Sequence, residues 1–154
     1  MKILFLFLPL FFMGCTTLQK NNISSSDEIE ATYSQGKKIV VVSSPQCGFC
    51  QRAFNDFSST INDFLKSNGV IIAPISRQYE DDEIESVLNW NNQHSLNHLL
   101  SYNDTKLKHI NLRSTPQFYF FNNGHLVEKI VGWPRDKSNG RAIEKAIKNL
   151  NSLK

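Results

Sequence analysis

The sequence predicts an α/β fold: a central mixed sheet flanked by helices, with a helical insertion ahead of the last two strands. Three observations carry that prediction. A β-branched run, Ile39-Val40-Val41-Val42, and a second apolar run, Val70-Ile71-Ile72-Ala73-Pro74-Ile75, bracket a segment of helical periodicity, the pattern of a parallel strand pair joined by a crossover helix. Pro116-Gln117-Phe118-Tyr119-Phe120-Phe121 and His125 to Val131 flank Asn122-Asn123-Gly124, and Asn-Gly is a strong type I′ hairpin signal. Lys137 to Leu150 places Ala142, Ile143, Ala146, Ile147 and Leu150 on one side, as an amphipathic C-terminal helix does.

With 154 residues, 40% of them apolar and 20% charged, the chain suits one globular domain plus a tail. Its net charge of +3, from 17 basic and 14 acidic residues, is spread without a basic block. That distribution argues against nucleic acid as a partner.

Met1-Lys2 gives a short positive start, Ile3 to Met13 is apolar, and Gly14-Cys15 ends the run. The run is too short for a membrane span and reads as a signal peptide over residues 1–14. Phe12-Met13-Gly14-Cys15 resembles the lipobox of bacterial lipoproteins, with Phe12 where Leu is usual and Met13 where a smaller residue is common. The resemblance implies lipidation of Cys15. Residues 15–35 are then the lipidated cysteine and a flexible tether, and 36–154 the folded domain. Within the tether, 16–27 are polar and aperiodic, spanning roughly 20 Å as random coil, and Glu28 to Gln35 can form a short helix ending at Gly36.

Lys37-Lys38 lead into the first strand, which suits the centre of a sheet because it is apolar on both faces. Pro45 stops it. Beyond the cysteines, Phe54, Phe57, Ile61, Phe64 and Leu65 recur at helical spacing up to Gly69, predicting one helix of about five turns with an aromatic core stripe. After the second strand, Glu80 to Trp90 carries Ile84, Val87 and Leu88 on one face behind the acidic start Glu80-Asp81-Asp82-Glu83, which fits a helix N-terminus better than a metal site. Ser95 to Tyr102 and Thr105 to Leu112 read as two further short amphipathic stretches.

The chemistry concentrates at Cys47-Gly48-Phe49-Cys50, on the first turn of the helix that leaves the first strand. Sulfurs three residues apart can close a small ring, and a helix N-terminus stabilises a thiolate through its dipole and free N–H groups. Cys47 is therefore expected to be the nucleophile and Cys50, one turn in, the buried resolving thiol. The same pair also suits half of a zinc site, which needs two further ligands. His94 and His98 are spaced to chelate from one helix face but have no acid or thiol beside them, and His109 and His125 are isolated. No resident metal is expected. With Cys15 assigned to lipid and Cys47 paired with Cys50, none of the three cysteines is left over.

At this point residues 36 to 152 resemble the thioredoxin superfamily. Beside the cysteines and the strand order, Thr115-Pro116 opens the first hairpin strand, where the family places a cis-proline, and Gly132 follows the second. The resemblance implies that Thr115 and Pro116, with Gly48 and Phe49, support the site, and that the Thr115 backbone is offered to a substrate chain. The interval between Ile75 and Thr115 is similar to that of membrane-tethered TlpA/ResA-like proteins, although Gln46 replaces their Trp before the first cysteine. Gly48-Phe49 and Thr115 are closer to the disulfide isomerases with Cys-Gly-Tyr-Cys. Where thioredoxin has a buried acid six residues before its first cysteine, this chain has Val41, leaving solvent or a residue such as Lys38 as proton acceptor. Arg52 can add positive potential at the site, and Trp133-Pro134 either packs beside it or staples a loop.

The expected function is a membrane-tethered, monomeric thiol:disulfide oxidoreductase facing the periplasm or cell exterior. Reduction or isomerisation is favoured, since Gly48-Phe49 offers no cationic group to stabilise the thiolate strongly. It needs no cofactor beyond the redox-active Cys47-Cys50 disulfide, and its partners are cysteine-containing exported proteins and a membrane or periplasmic thiol donor. A metallochaperone and a non-catalytic adaptor are the alternatives.

Overall fold

The structure, a computed structural model, describes residues 24–75, 98–102 and 106–154. Among them, five strands form one mixed sheet in the order β3-β2-β1-β4-β5: β1 Lys37–Val42, β2 Gly69–Ile75, β3 His98–Tyr102, β4 Gln117–Asn122 and β5 His125–Val131. β1 pairs parallel with β2 and β2 with β3, whereas β4 runs antiparallel to both β1 and β5. Among the described residues four helices accompany it: α1 Ser26–Tyr33, α2 Gly48–Asp56, α3 Ser59–Asn68 and α4 Ser138–Ser152.

Strand alternation sorts the side chains into two cores. Ile39 and Val41 of β1, with Phe118 and Phe120 of β4, face α2, α3 and α4, where Ala53, Phe54, Ile61, Phe64, Ile143 and Ile147 meet them. Val40 and Val42, with Tyr119 and Phe121, face the other way onto Ile29 and Tyr33 of α1 and onto Leu107 and Ile110. A strand buried on both faces has no polar side to keep, which is why these two runs are continuously apolar.

The hairpin forms as its turn signal predicts. Asn123 and Gly124 adopt φ 48° and 75°, the paired positive values a type I′ turn requires. A register shift between Phe120 and Phe121 interrupts the β4–β5 ladder.

Four expectations are corrected. The single long helix after the cysteines is two, because Ser58 adopts an extended backbone and caps α3, its Oγ accepting the Ile61 N–H at 3.4 Å. The stretch ending at Tyr102 contributes a strand over 98–102, whose ladder satisfies the outer backbone groups of β2. The stretch ending at Leu112 is a turn over 107–110, closed by a Leu107–Ile110 bridge, with His109 at φ 68°. Lastly, the folded part begins ahead of residue 36. Ser25 and Glu28 cap α1 reciprocally, and Ile29 and Tyr33 are buried under the sheet, so this segment is no tether. The predicted helix over Glu80 to Trp90, the signal peptide and Cys15 lie outside the described residues. Among those residues, no helix is long and apolar enough to cross a membrane.

Candidate redox site

The site is built at the C-terminal end of β1. Ser43 continues the sheet by one bond, its N–H donating to the Ile72 carbonyl at 3.0 Å, and Pro45 then turns the chain. The Cys47 N–H donates to the Ser44 carbonyl at 3.1 Å, which closes that turn and puts Cys47 at the N-cap of α2. In place of a capping hydroxyl, the Cys47 sulfur accepts the Cys50 N–H at 3.3 Å. One turn in, Cys50 is 0% exposed on the face of α2 that lies against the sheet. Both thiols are free in this structure.

These settings separate the two thiols chemically. Partial burial, the largest influence on Cys47, raises its pKa, but hydrogen bonds from the Cys50 and Thr115 side chains and the Cys50 and Phe49 N–H groups outweigh it. The Cys47 thiol therefore lies below its ordinary value. Burial, then the hydrogen bond with Cys47, pushes the Cys50 thiol up to about 11. The outer sulfur is the more readily ionised of the two, and the inner one is held as a buried thiol.

Thr115-Pro116 is a cis peptide bond, and the Cys47 thiol points at the Thr115 carbonyl, 3.7 Å away. The Gly132 N–H donates to the Pro116 carbonyl at 2.8 Å, tying the end of β5 to this corner. Gly132 has φ 78°, a conformation that favours glycine. A buried network missing from the sequence reading supports the approach to Thr115. Tyr119 Oη accepts the Asn111 N–H at 2.9 Å and donates to Gln117 Oε1 at 2.7 Å, while Gln117 Nε2 donates to the carbonyls of Asn111 and Ser114. The signal was there in Gln117, a polar residue inside an apolar strand, and it read only as a strand position.

The remaining candidates scatter. Phe49 is 55% exposed beside the cysteines, and the Arg52 guanidinium lies 5.4 Å from its ring centre rather than against the thiols. Gly48 is exposed and has open space where a Cβ would stand. Trp133 acts as a staple: its Nε1 donates to Asp56 Oδ2 at 3.2 Å at the far end of α2, and its ring meets Phe57 edge-on at 5.4 Å. Val41 is buried in the first core. Lys38 fails as a proton acceptor, being on the opposite face of β1 and about 16 Å down the strand from Ser43 at the usual rise. His109 and His125 are exposed on an open cavity beside α1 and the Asn123-Gly124 turn, at the other end of the sheet. His94 lies outside the described residues. Among those residues, no group of three or more His, Cys, Asp and Glu side chains is placed to hold a metal ion.

A mixed sheet with helices on both faces, a helix-capping dithiol and a cis-proline facing its outer sulfur define a thioredoxin-like protein. The chain belongs to the thioredoxin-like domain family, whose model matches residues 25–146. Among solved structures it is similar to a DsbF homologue from Corynebacterium diphtheriae, at 13% identity and TM-score 0.54 over 77% of this chain and 74% of that one. It is also similar to a secreted Mycobacterium tuberculosis disulfide oxidoreductase homologous to E. coli DsbE, at 15% identity and TM-score 0.51 over 77% and 85%. StoA from Bacillus subtilis follows at 13% identity and TM-score 0.50 over 73% and 82%. At these identities the likeness is one of fold. No curated protein sequence matches the chain.

Proposed function

We propose that this chain is a thiol:disulfide oxidoreductase, tethered to a membrane through Cys15 and acting on exported proteins as a reductase or isomerase. The observation that carries the reading is the inequality of the two thiols: Cys47 at the helix cap, accepting the Cys50 N–H, with its pKa lowered, and Cys50 buried with its pKa raised.

The Cys47 thiolate attacks one sulfur of a substrate disulfide, forming a mixed disulfide and releasing the other sulfur as a thiolate, which takes up a proton. The Thr115 backbone, beside the sulfur, offers strand-like pairing to the substrate chain once Cys47 is engaged in the mixed disulfide. Cys50 then attacks the Cys47 sulfur, and the second substrate thiol departs. Two electrons have passed to the substrate, and the chain is left with a Cys47-Cys50 disulfide. A membrane or periplasmic thiol donor returns it to the dithiol, and no other cofactor is needed. The absence of a cation between the cysteines favours reduction or isomerisation over oxidation. The apolar run from Ile3 to Met13 and the lipobox-like end at Cys15 support export and anchoring.

A Cys50→Ser variant cannot resolve its mixed disulfides, so it is expected to accumulate disulfide-linked partners in cells. An empty trap overturns the oxidoreductase reading in favour of an adaptor. Tight copper(I) or zinc binding by the reduced chain in place of exchange would favour a metallochaperone. Equilibration with glutathione gives the direction: a potential near about −120 mV would sink the reductase assignment. Labelling with radioactive palmitate, lost in Cys15→Ala, tests the anchor.

A further inference from the structure

Ser43 has an unusual hydroxyl. The residue is 0% exposed, and its Oγ is the buried side-chain polar atom without a hydrogen-bond partner among the described residues. Buried hydroxyls are nearly always paired. Strand alternation puts Ser43 on the same face as Ile39 and Val41, which lie in the core beneath α2 together with Ala53 and Phe54. Cys50 stands one turn before Ala53 on the covered side of that helix. Its thiol is pushed up first by burial and then by Cys47, and the Ser43 side chain acts on it in the opposite direction.

We propose that Ser43 is a positioning residue for Cys50, its hydroxyl rotating to donate a hydrogen bond to the Cys50 sulfur when that sulfur becomes a thiolate. In the dithiol form the Ser43 Oγ has no hydrogen-bond partner, and the free Cys50 thiol is only a weak acceptor. Ionisation turns the same sulfur into a charged acceptor, and charge-assisted hydrogen bonds are roughly twice as strong as neutral ones. The hydroxyl is thus held in reserve for the attacking state.

The groups around Cys50 leave this role open. On α2 the titratable neighbour is Cys47, Arg52 lies over Phe49, and Asp56 is held at the far end by Trp133 and Lys137. β1 presents Ile39 and Val41 to this side. The segment before β4 presents the uncharged Thr115, whose side chain, like the Ser44 N–H, acts on the Cys50 thiol in the same direction as Ser43. The step served is resolution of the mixed disulfide, so the inference rests on the exchange chemistry proposed above. Cys50 gives up its proton and attacks the Cys47 sulfur, the bond from Cys47 to the substrate sulfur breaks, and the departing substrate thiolate takes up one proton. No outside oxidant or reductant enters.

Two measurements test this. In a Cys47→Ser background, Cys50 can be titrated by ultraviolet thiolate absorbance, without reference to activity. Ser43→Ala is expected to raise its pKa by about one unit, a tenfold loss of thiolate at neutral pH, and Ser43→Thr to restore it. An unchanged titration in Ser43→Ala, or Thr titrating like Ala, overturns the inference. Because Ser43→Ala removes a hydroxyl with no partner, its thermal unfolding should match or exceed that of the parent. With both cysteines present, an aromatic disulfide releases one coloured thiol on attack by Cys47 and a second on resolution by Cys50. Ser43→Ala should slow the second release about tenfold near neutral pH, the difference vanishing above the Cys50 pKa. If the unmodified chain releases neither thiol, the exchange reading fails, while the titration still decides the role of Ser43.

Discussion

Cys47 and Cys50 are the same residue in two environments, and the difference is one turn of helix. At the N-cap, Cys47 meets N–H groups that have no intrahelical partner, whereas Cys50 meets the sheet and loses water. Alkylation should read this out directly. With iodoacetamide, Cys47 is expected to react along a pH profile whose midpoint lies below that of an ordinary thiol. Cys50 should stay largely protected until the pH approaches about 11. Two profiles with a common midpoint near the unperturbed value would remove the asymmetry on which the proposed mechanism stands. At this scale the sequence was informative about the cysteines, because their spacing against the helix start suffices to rank them. It was silent about Ser43, whose meaning depends on having no partner.

Among the elements, the break between α2 and α3 shows how a local cap overrides a periodic pattern. Phe54, Phe57, Ile61, Phe64 and Leu65 keep helical spacing across residues 57 and 58, so the apolar stripe alone favours one helix. Ser58 decides otherwise: its Oγ caps α3 and also donates to Glu144 Oε1 on α4 at 2.5 Å. Ser58→Ala should therefore cost about 1 kcal/mol or somewhat more in urea unfolding, since it removes a cap and a cross-link between helices. A neutral result would mean that the break is imposed by packing alone. On β4, Tyr119→Phe strips the Asn111 N–H and Gln117 Oε1 of their shared partner. It is expected to cost about 1–3 kcal/mol and to slow exchange by loosening the segment that presents Thr115 to Cys47. Unaltered exchange in a destabilised variant would confine this network to stability.

For the whole molecule, the sheet is the rigid body on which two cores and one reactive corner depend. Its ionisable interior groups make stability depend on redox state. Cys50 is pushed up to about 11 by burial, so the folded chain prefers its neutral form. The stability this confers is full below the unfolded value of about 8.5 and is lost as pH rises through the folded one. Cys47 works in the opposite sense: its lowered pKa adds stability that is complete above about 8.5 and lost as pH falls through the folded value. Tyr33 is raised by burial and then by Glu30, and it loses stability at high pH in both redox forms. Urea unfolding of the reduced chain should weaken between about pH 9 and 11 more steeply than that of the disulfide form, in which neither cysteine ionises. Parallel curves would contradict the burial of Cys50.

The class of fold, the hairpin turn, the C-terminal helix and the pair of thiols are legible in the amino-acid sequence. Each of these is written within a short window, as β-branched runs, Asn-Gly, helical periodicity and a three-residue spacing. Tertiary structure alone decided that 98–102 pairs as a strand beside β2, that α1 belongs to the folded body, and that Trp133 staples the far end of α2. It also brought Thr115 to within 3.7 Å of Cys47 across 68 positions and left the Ser43 hydroxyl unpaired beneath α2. The reason is physical: hydrogen-bond partners, and the water a side chain loses, come from residues distant in the chain, and no local pattern encodes which ones arrive.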